Sequence, residues 1–170
     1  MSFEDYKTRF ESEATNPEAV VKLLVEGMLL LETDKTLGEQ VICLVSAKTC
    51  LQEDSSSPSG FKWRRTDDSL NRLLRDKNIA RSYAGGVWTS GYDSSSVDPS
   101  HIVLDKGYSA SRQGINYPQQ GKAKFFVKSG GADTPRPVTL ACNASGQWKV
   151  MEFSSLTVGV RKPQAEALDF

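Results

Sequence analysis

Residues 122–160 constrain the fold more tightly than any other part of this chain. Three apolar-rich runs, at 124–128, 136–142 and 147–156, are separated by two clusters of turn residues, Ser-Gly-Gly-Ala-Asp-Thr-Pro at 129–135 and Asn-Ala-Ser-Gly at 143–146. Gly, Pro, Asn and Ser end strands and supply the backbone angles of tight turns, so this pattern predicts antiparallel hairpins and a three-stranded meander. Val138, Leu140 and Cys142 alternate, as do Trp148, Val150 and Phe153 after one irregular step. One face of the sheet is therefore expected to be covered.

The first 84 residues supply the cover. Phe3, Tyr6 and Phe10 recur at helical spacing among charges and predict a short helix with a buried aromatic stripe. Asn16-Pro17-Glu18 is a helix start, combining a capping side chain, a preset φ and an acid at the positive helix end. The helix that follows, residues 17–32, is apolar on nearly every side, with Lys22, Glu26 and Gly27 as a narrow polar or small strip. It is the expected partner of the sheet, or a surface for another molecule. Thr36-Leu37-Gly38-Glu39 fits a capping box for a third helix over 37–48. A Ser- and Pro-rich loop at 52–60 is the clearest interior boundary. A fourth helix begins at Thr66-Asp67-Asp68, buries Leu70, Leu73, Leu74 and Ile79, and turns Arg72, Arg75, Lys77 and Arg81 outward. The fold expected is α+β, one domain over 1–170: N-terminal helices (1–84), an irregular part (85–121), a C-terminal, mainly antiparallel meander (122–160) and a loose tail (161–170) with Leu168 and Phe170 tucked back.

Composition narrows the function classes. Apolar residues make up 38% and charged residues 25%, which suits a globular protein. Lys and Arg total 21 against 21 Asp and Glu, and neither half carries a marked excess of one sign. That balance argues against nucleic acid or an acidic membrane as partner. Three cysteines without a CxxC pair and a single histidine form neither a disulfide framework nor a metal site. With a charged N-terminus lacking an apolar signal segment, they predict a reducing, cytoplasmic setting.

No catalytic or cofactor motif stands out. Gly-x-Ser-x-Gly is absent, and neither Gly85-Gly86 nor Gly130-Gly131 opens a helix as a phosphate loop would. A hairpin turn is the reading for Gly130-Gly131. His101 could act as a base oriented by Asp98 or Asp105, with Cys142 or Ser94–Ser96 as nucleophile, but no spacing supports such a set. Residues 85–120 are rich in Gly, Ser and aromatics without a period, and only Ile102-Val103-Leu104 reads as a strand core, followed by a turn at 105–108. Long irregular segments with aromatics are where sites tend to lie. Trp88, Tyr92, His101, Tyr108 and Tyr117 are the candidate binding residues.

The helical front half and the Gly146-Gln147-Trp148-Lys149-Val150 hairpin resemble NTF2-like α+β cone domains over residues 136–156, and more loosely some uncharacterised small bacterial domains. The resemblance implies a pocket between helices and sheet that takes small molecules or partners, as a carrier or an enzyme. The residues themselves favour a non-catalytic binding or interaction protein for a small molecule or protein, with no cofactor. Self-association through residues 17–32, giving a homo-oligomer, is a further reading.

Overall fold

The computed structural model describes residues 1–109 and 121–169, and its helical half follows from local signals. Ser2 and Asp5 cap each other's backbone to start α1 (Phe3–Glu13), which buries Phe3, Tyr6 and Phe10. The Asn16 side chain accepts from the Glu18 N–H at 3.0 Å and starts α2 (Pro17–Leu30). The third helix, α3 (Lys35–Val45), is capped by Asp34, whose carboxylate accepts from the Leu37 N–H at 3.1 Å. The capping box expected at Thr36 is thus displaced by an acid two residues earlier. The helix ends at Val45 because Ser46 turns extended and bridges Val150, while the Ala47 N–H donates to the Val150 carbonyl.

Gly27 corrects another expectation. It does not lie on a polar strip of α2 but faces α3, where an added Cβ would stand 3.0 Å from Ile42 Cγ1. On α3, Gly38 is held as closely, a Cβ there meeting the Leu31 nitrogen at 2.7 Å. The two glycines let α2 and α3 pack backbone to backbone, burying Val20, Val21, Leu24 and Val25 against Val41, Ile42 and Val45.

The polar stretch at 52–60 is a hairpin turn and no boundary, since β1 (Leu51–Glu53) pairs antiparallel with β2 (Phe61–Trp63). The fourth helix is two, α4 (Ser69–Arg75) and α5 (Lys77–Ser82), because Asp76 leaves the helical angles and caps Asn78. Leu70, Leu73 and Ile79 are buried, but Leu74 is 37% exposed. Arg81 also departs from its expected outward aim. It pairs with Glu32 and donates to the Tyr92 carbonyl at 2.9 Å.

Among the described residues, β3 (Leu104–Ser109), β4 (Lys122–Val127), β5 (Arg136–Cys142) and β6 (Trp148–Glu152) form an antiparallel sheet in that order. The meander therefore has a fourth strand where a turn was expected at 105–108. Gly107 allows it: the pairing of β3 with β4 slips between Lys106 and Tyr108, and the Phe126 ring lies over the glycine, 2.8 Å from where a Cβ would be. Ala123, Phe125, Val127, Val138, Leu140, Cys142, Trp148 and Val150 face the core. Met151 is the extra residue of a slip between β5 and β6, which returns Phe153 to the core. Helix α2 lies against β6, as the sequence predicts.

The C-terminal residues are ordered differently from the expected tail. Gln164–Ala167 forms α6, Leu168 is 65% exposed, and Phe170 falls outside the described residues. Before α6, the Arg136 guanidinium grips the Val158 and Gly159 carbonyls, and the Arg161 N–H donates to the Gly131 carbonyl. No helix among the described residues is long and apolar enough to cross a membrane.

Candidate functional site

The irregular segment, where the sequence places the site, is held by its own polar side chains. Asp93 and Asp98 accept from the Ser95 and Ser100 N–H groups and set the turns at Ser94–Ser96 and Pro99–His101. Hydrogen bonds from those serines hold both carboxyls below the usual range. Tyr92 adopts a positive φ of 55° and is fully buried. Its hydroxyl donates to the Arg161 carbonyl, its carbonyl accepts from Arg81, and burial, then the Asp76 charge, push the phenol up. Trp88 is half-buried beneath the Arg161 guanidinium, 5.4 Å above its ring. Trp88 and Tyr92 thus meet around Arg161 in a structural contact.

His101 is separate from them and exposed. Its Nδ1 lies 2.8 Å from the Ser96 carbonyl, which makes Nδ1 the donor and leaves Nε2 free to accept. The carbonyl, and neither Asp98 nor Asp105, orients the ring. His101 borders a shallow depression of about 190 Å³ with Gly85, Gly86, Lys128 and Ser129. Tyr108 stands in β3 opposite Lys124, and Tyr117 lies outside the described residues. Of the candidates whose side chains are described, Trp88 and Tyr92 meet at Arg161 and His101 stands apart from them.

A larger concavity opens at the far rim of the sheet, away from Trp88, Tyr92 and His101 but with Cys142 among its lining. It measures about 440 Å³ and is lined by Ala47 and Lys48 after α3, by 141–145 at the end of β5 and its turn, and by Lys149 and Met151 of β6. The turn is built by Asn143, whose side-chain oxygen accepts from the Ser145 and Gln147 N–H groups, and by Gly146 at φ +82°. Lys149 runs along the Phe10 ring, its Nζ 4.5 Å from the centroid, and donates to the Leu44 carbonyl at 2.7 Å. That carbonyl belongs to the last turn of α3, where the helix has acceptors to spare and favours a cation. Burial, with Lys48 nearby, nevertheless pushes the Lys149 ammonium down to about 8. No carboxylate is among the described residues lining the cavity.

Other reactive side chains are inert by comparison. Burial pushes the Cys43 thiol up to about 12, and Cys142 is buried on the helix side of β5. No group of three or more His, Cys, Asp or Glu that could hold a metal occurs among the described residues. Sequence reasoning placed Lys149 in a scaffold strand, and the signal for it was weak: a lysine between Trp148 and Val150, opposite the covered face.

Compared with known proteins, a family model described as Domain of unknown function (DUF6935) matches residues 1–164. No curated protein and no solved structure matches the chain.

Proposed function

We propose, from the premise that this chain belongs to the DUF6935 family of domains of unknown function, that it is a non-catalytic binding protein for a small amphipathic anion. The observation that carries this reading is the rim cavity, mainly apolar yet bordered by Lys48 and Lys149 with no acid among the described residues that line it. Burial, with Lys48 nearby, depresses the Lys149 ammonium, an anion beside it would relieve that, and Ala47, Ala141 and Met151 offer the apolar wall along which its body would lie. A carboxylate on a short hydrocarbon chain has this chemistry. Absence of catalysis in the reading is supported by the burial of the Cys43 thiol in an apolar interior.

The rival readings draw less from the structure. A pocket of the NTF2-like kind would lie between helices and sheet, a space occupied here by Leu24, Phe125, Leu140 and Val150. Self-association rests on the apolarity of α2, whose Val20, Val21, Leu23, Leu24, Val25 and Met28 side chains are buried within the chain, with Leu29 and Leu30 half-buried.

Calorimetric titration with octanoate tests the proposal, with octanol as the neutral control. Octanoate should bind, octanol about tenfold more weakly, and Lys149→Met should lose roughly the same factor, the size of one charge-assisted hydrogen bond. Ala141→Trp should block the cavity. Octanoate affinity untouched by both substitutions would exclude this site.

A further inference from the structure

A further concavity, of about 330 Å³, lies between α1, the last turns of α2 and the turns at Ser94–Ser96 and Pro99–His101. Leu29, Leu30, Val97 and Pro99 give it a mainly apolar wall. Glu26, from the polar strip of α2, also lines it, with its side chain 15% exposed. One carboxylate oxygen is cut off from solvent and lies 2.5 Å from an Arg9 nitrogen. The other is not sealed and accepts no hydrogen bond among the described residues, so it is the part of the carboxylate that the cavity can reach. The Tyr6 hydroxyl borders the same space, likewise unsealed and without a hydrogen-bond partner among the described residues. Burial, then the Glu26 charge, push its phenol up. The charges do not balance. Arg9 serves two carboxylates, Glu26 and, at 3.2 Å, Glu13, while Arg81 is taken by Glu32 and the Tyr92 carbonyl. Among these five side chains one negative charge is left over.

We infer that this cavity is a binding site for a small organic cation, an ammonium group on a short apolar body, with its N–H groups on the open Glu26 oxygen and the Tyr6 hydroxyl oxygen. The assignment follows from what is open and what is spent. Both open atoms accept hydrogen bonds, and an ammonium is a donor on every side. An anion would face Glu26 and Glu32, with the one lining cation, Arg81, already committed. A neutral alcohol could reach the same two atoms but would leave the surplus charge unanswered, and a charge-assisted bond is about twice as strong as a neutral one. The apolar wall receives the body of the ligand, and the volume lies at the lower end of the usual range for ligand pockets, roughly 300 Å³ upward. The inference stands apart from the amphipathic-anion reading: it uses neither Lys48 nor Lys149, and its ligand has the opposite sign.

The experiment is a nitrogen–proton correlation spectrum of the full chain, in which the backbone amides of residues 26–33 and 94–97 are followed during titration, with those of 141–149 as the reference at the rim. The probe is 2-phenylethylamine, and 2-phenylethanol and 3-phenylpropanoate are its neutral and anionic counterparts of similar shape. The amine should move the signals of 26–33 and 94–97 saturably and leave the rim in place. The alcohol should bind at least tenfold more weakly, and 3-phenylpropanoate should leave residues 26–33 unmoved. Glu26→Gln, which keeps the Arg9–Glu13 pair, should weaken the amine at least tenfold, and Val97→Trp should block it. Thermal unfolding checks that each variant folds. If Glu26→Gln does not, Val97→Trp carries the test, since it fills the cavity without touching an ion pair. Signals at 26–33 unmoved by the amine would overturn the inference. So would an equal response to the alcohol or the anion, or full affinity in either folded variant.

Discussion

The irregular segment before β3 and the β5–β6 hairpin reverse the roles their sequences suggest. In the segment, aromatics and small polar residues are consumed internally. Tyr92 is fully buried with its hydroxyl on a backbone carbonyl, Trp88 lies under Arg161, and Asp93 and Asp98 cap their own turns. In the hairpin, strand backbones satisfy one another along the ladder, and the side-chain bonds to backbone fall at its turn, through Asn143, and at the end of α3, where Lys149 donates to the Leu44 carbonyl. Lys149 and Ala141, register partners on the uncovered face, line the largest cavity described above. The lesson is one of hydrogen-bond accounting. A chain without a ladder spends its side chains on its backbone, and a chain with one can offer them to a ligand.

The sharpest way to break this contrast is Gly130→Ala. Gly130 sits against the irregular segment: its N–H donates to the Ser82 carbonyl, its carbonyl accepts from the Trp88 N–H, and an added Cβ would stand 2.0 Å from the Gly86 oxygen. The glycine serves close approach between two backbones, where the sequence predicts a hairpin turn. Because the obstacle is backbone, relief requires moving a whole strand, and the loss should be about 3 kcal/mol or more by urea denaturation. Gly60→Ala, at φ +81° but in open space, should cost only about 1 kcal/mol. Equal effects would mean that the segment is not docked as tightly as described.

Next in size is the pH response of Lys149. Its folded value of about 8 lies below the ordinary 10.5, so folding disfavours the charged form. Below pH 8 the lysine is protonated in both states and the full penalty stands. Between pH 8 and 10.5 the folded chain releases a proton that the unfolded chain keeps, so stability rises with pH across that window and then levels. Relative to Lys149→Met, the wild type should gain about 3 kcal/mol over this range in denaturant titrations. A flat difference would place the amine in water and remove the basis of the rim site.

How far the sequence is legible follows from the range of each interaction. The starts of α1 and α2, the bounds of β5 and the burial of alternate sheet residues are local or periodic, and all are readable. The fourth strand was hidden because Gly107 reads as a turn residue until Phe126, from the neighbouring strand, covers it. The break at Asp76 was hidden because its two helices share one apolar period. The rim cavity was least visible, since its walls come from the exit of α3 and from a hairpin about a hundred residues later. Lys149 meets the Leu44 carbonyl only in the fold, and no motif announces that contact.

Tyr92→Phe gives a smaller effect that separates packing from hydrogen bonding. The ring and its positive φ stay, while the Arg161 carbonyl loses its donor. A loss of about 1 kcal/mol is expected in thermal or urea unfolding, with octanoate binding unchanged. Weakened binding would return Tyr92 to the site.

The smallest expected effect is the most direct test of which region carries function. His101 is exposed, and its ring bond to the Ser96 carbonyl closes a turn already set by Asp98. His101→Ala should therefore change stability by about 0.5 kcal/mol or less. It should also leave octanoate affinity unaltered, because Gly85, Gly86 and Ser129 border its depression and none of them lines the rim cavity. His101→Gln, which retains a side-chain donor for the Ser96 carbonyl, distinguishes the two ways this could fail. If Ala alone weakens binding, the turn is coupled to the rim through the sheet. If both weaken it, the imidazole itself takes part, and the irregular segment is the functional half after all.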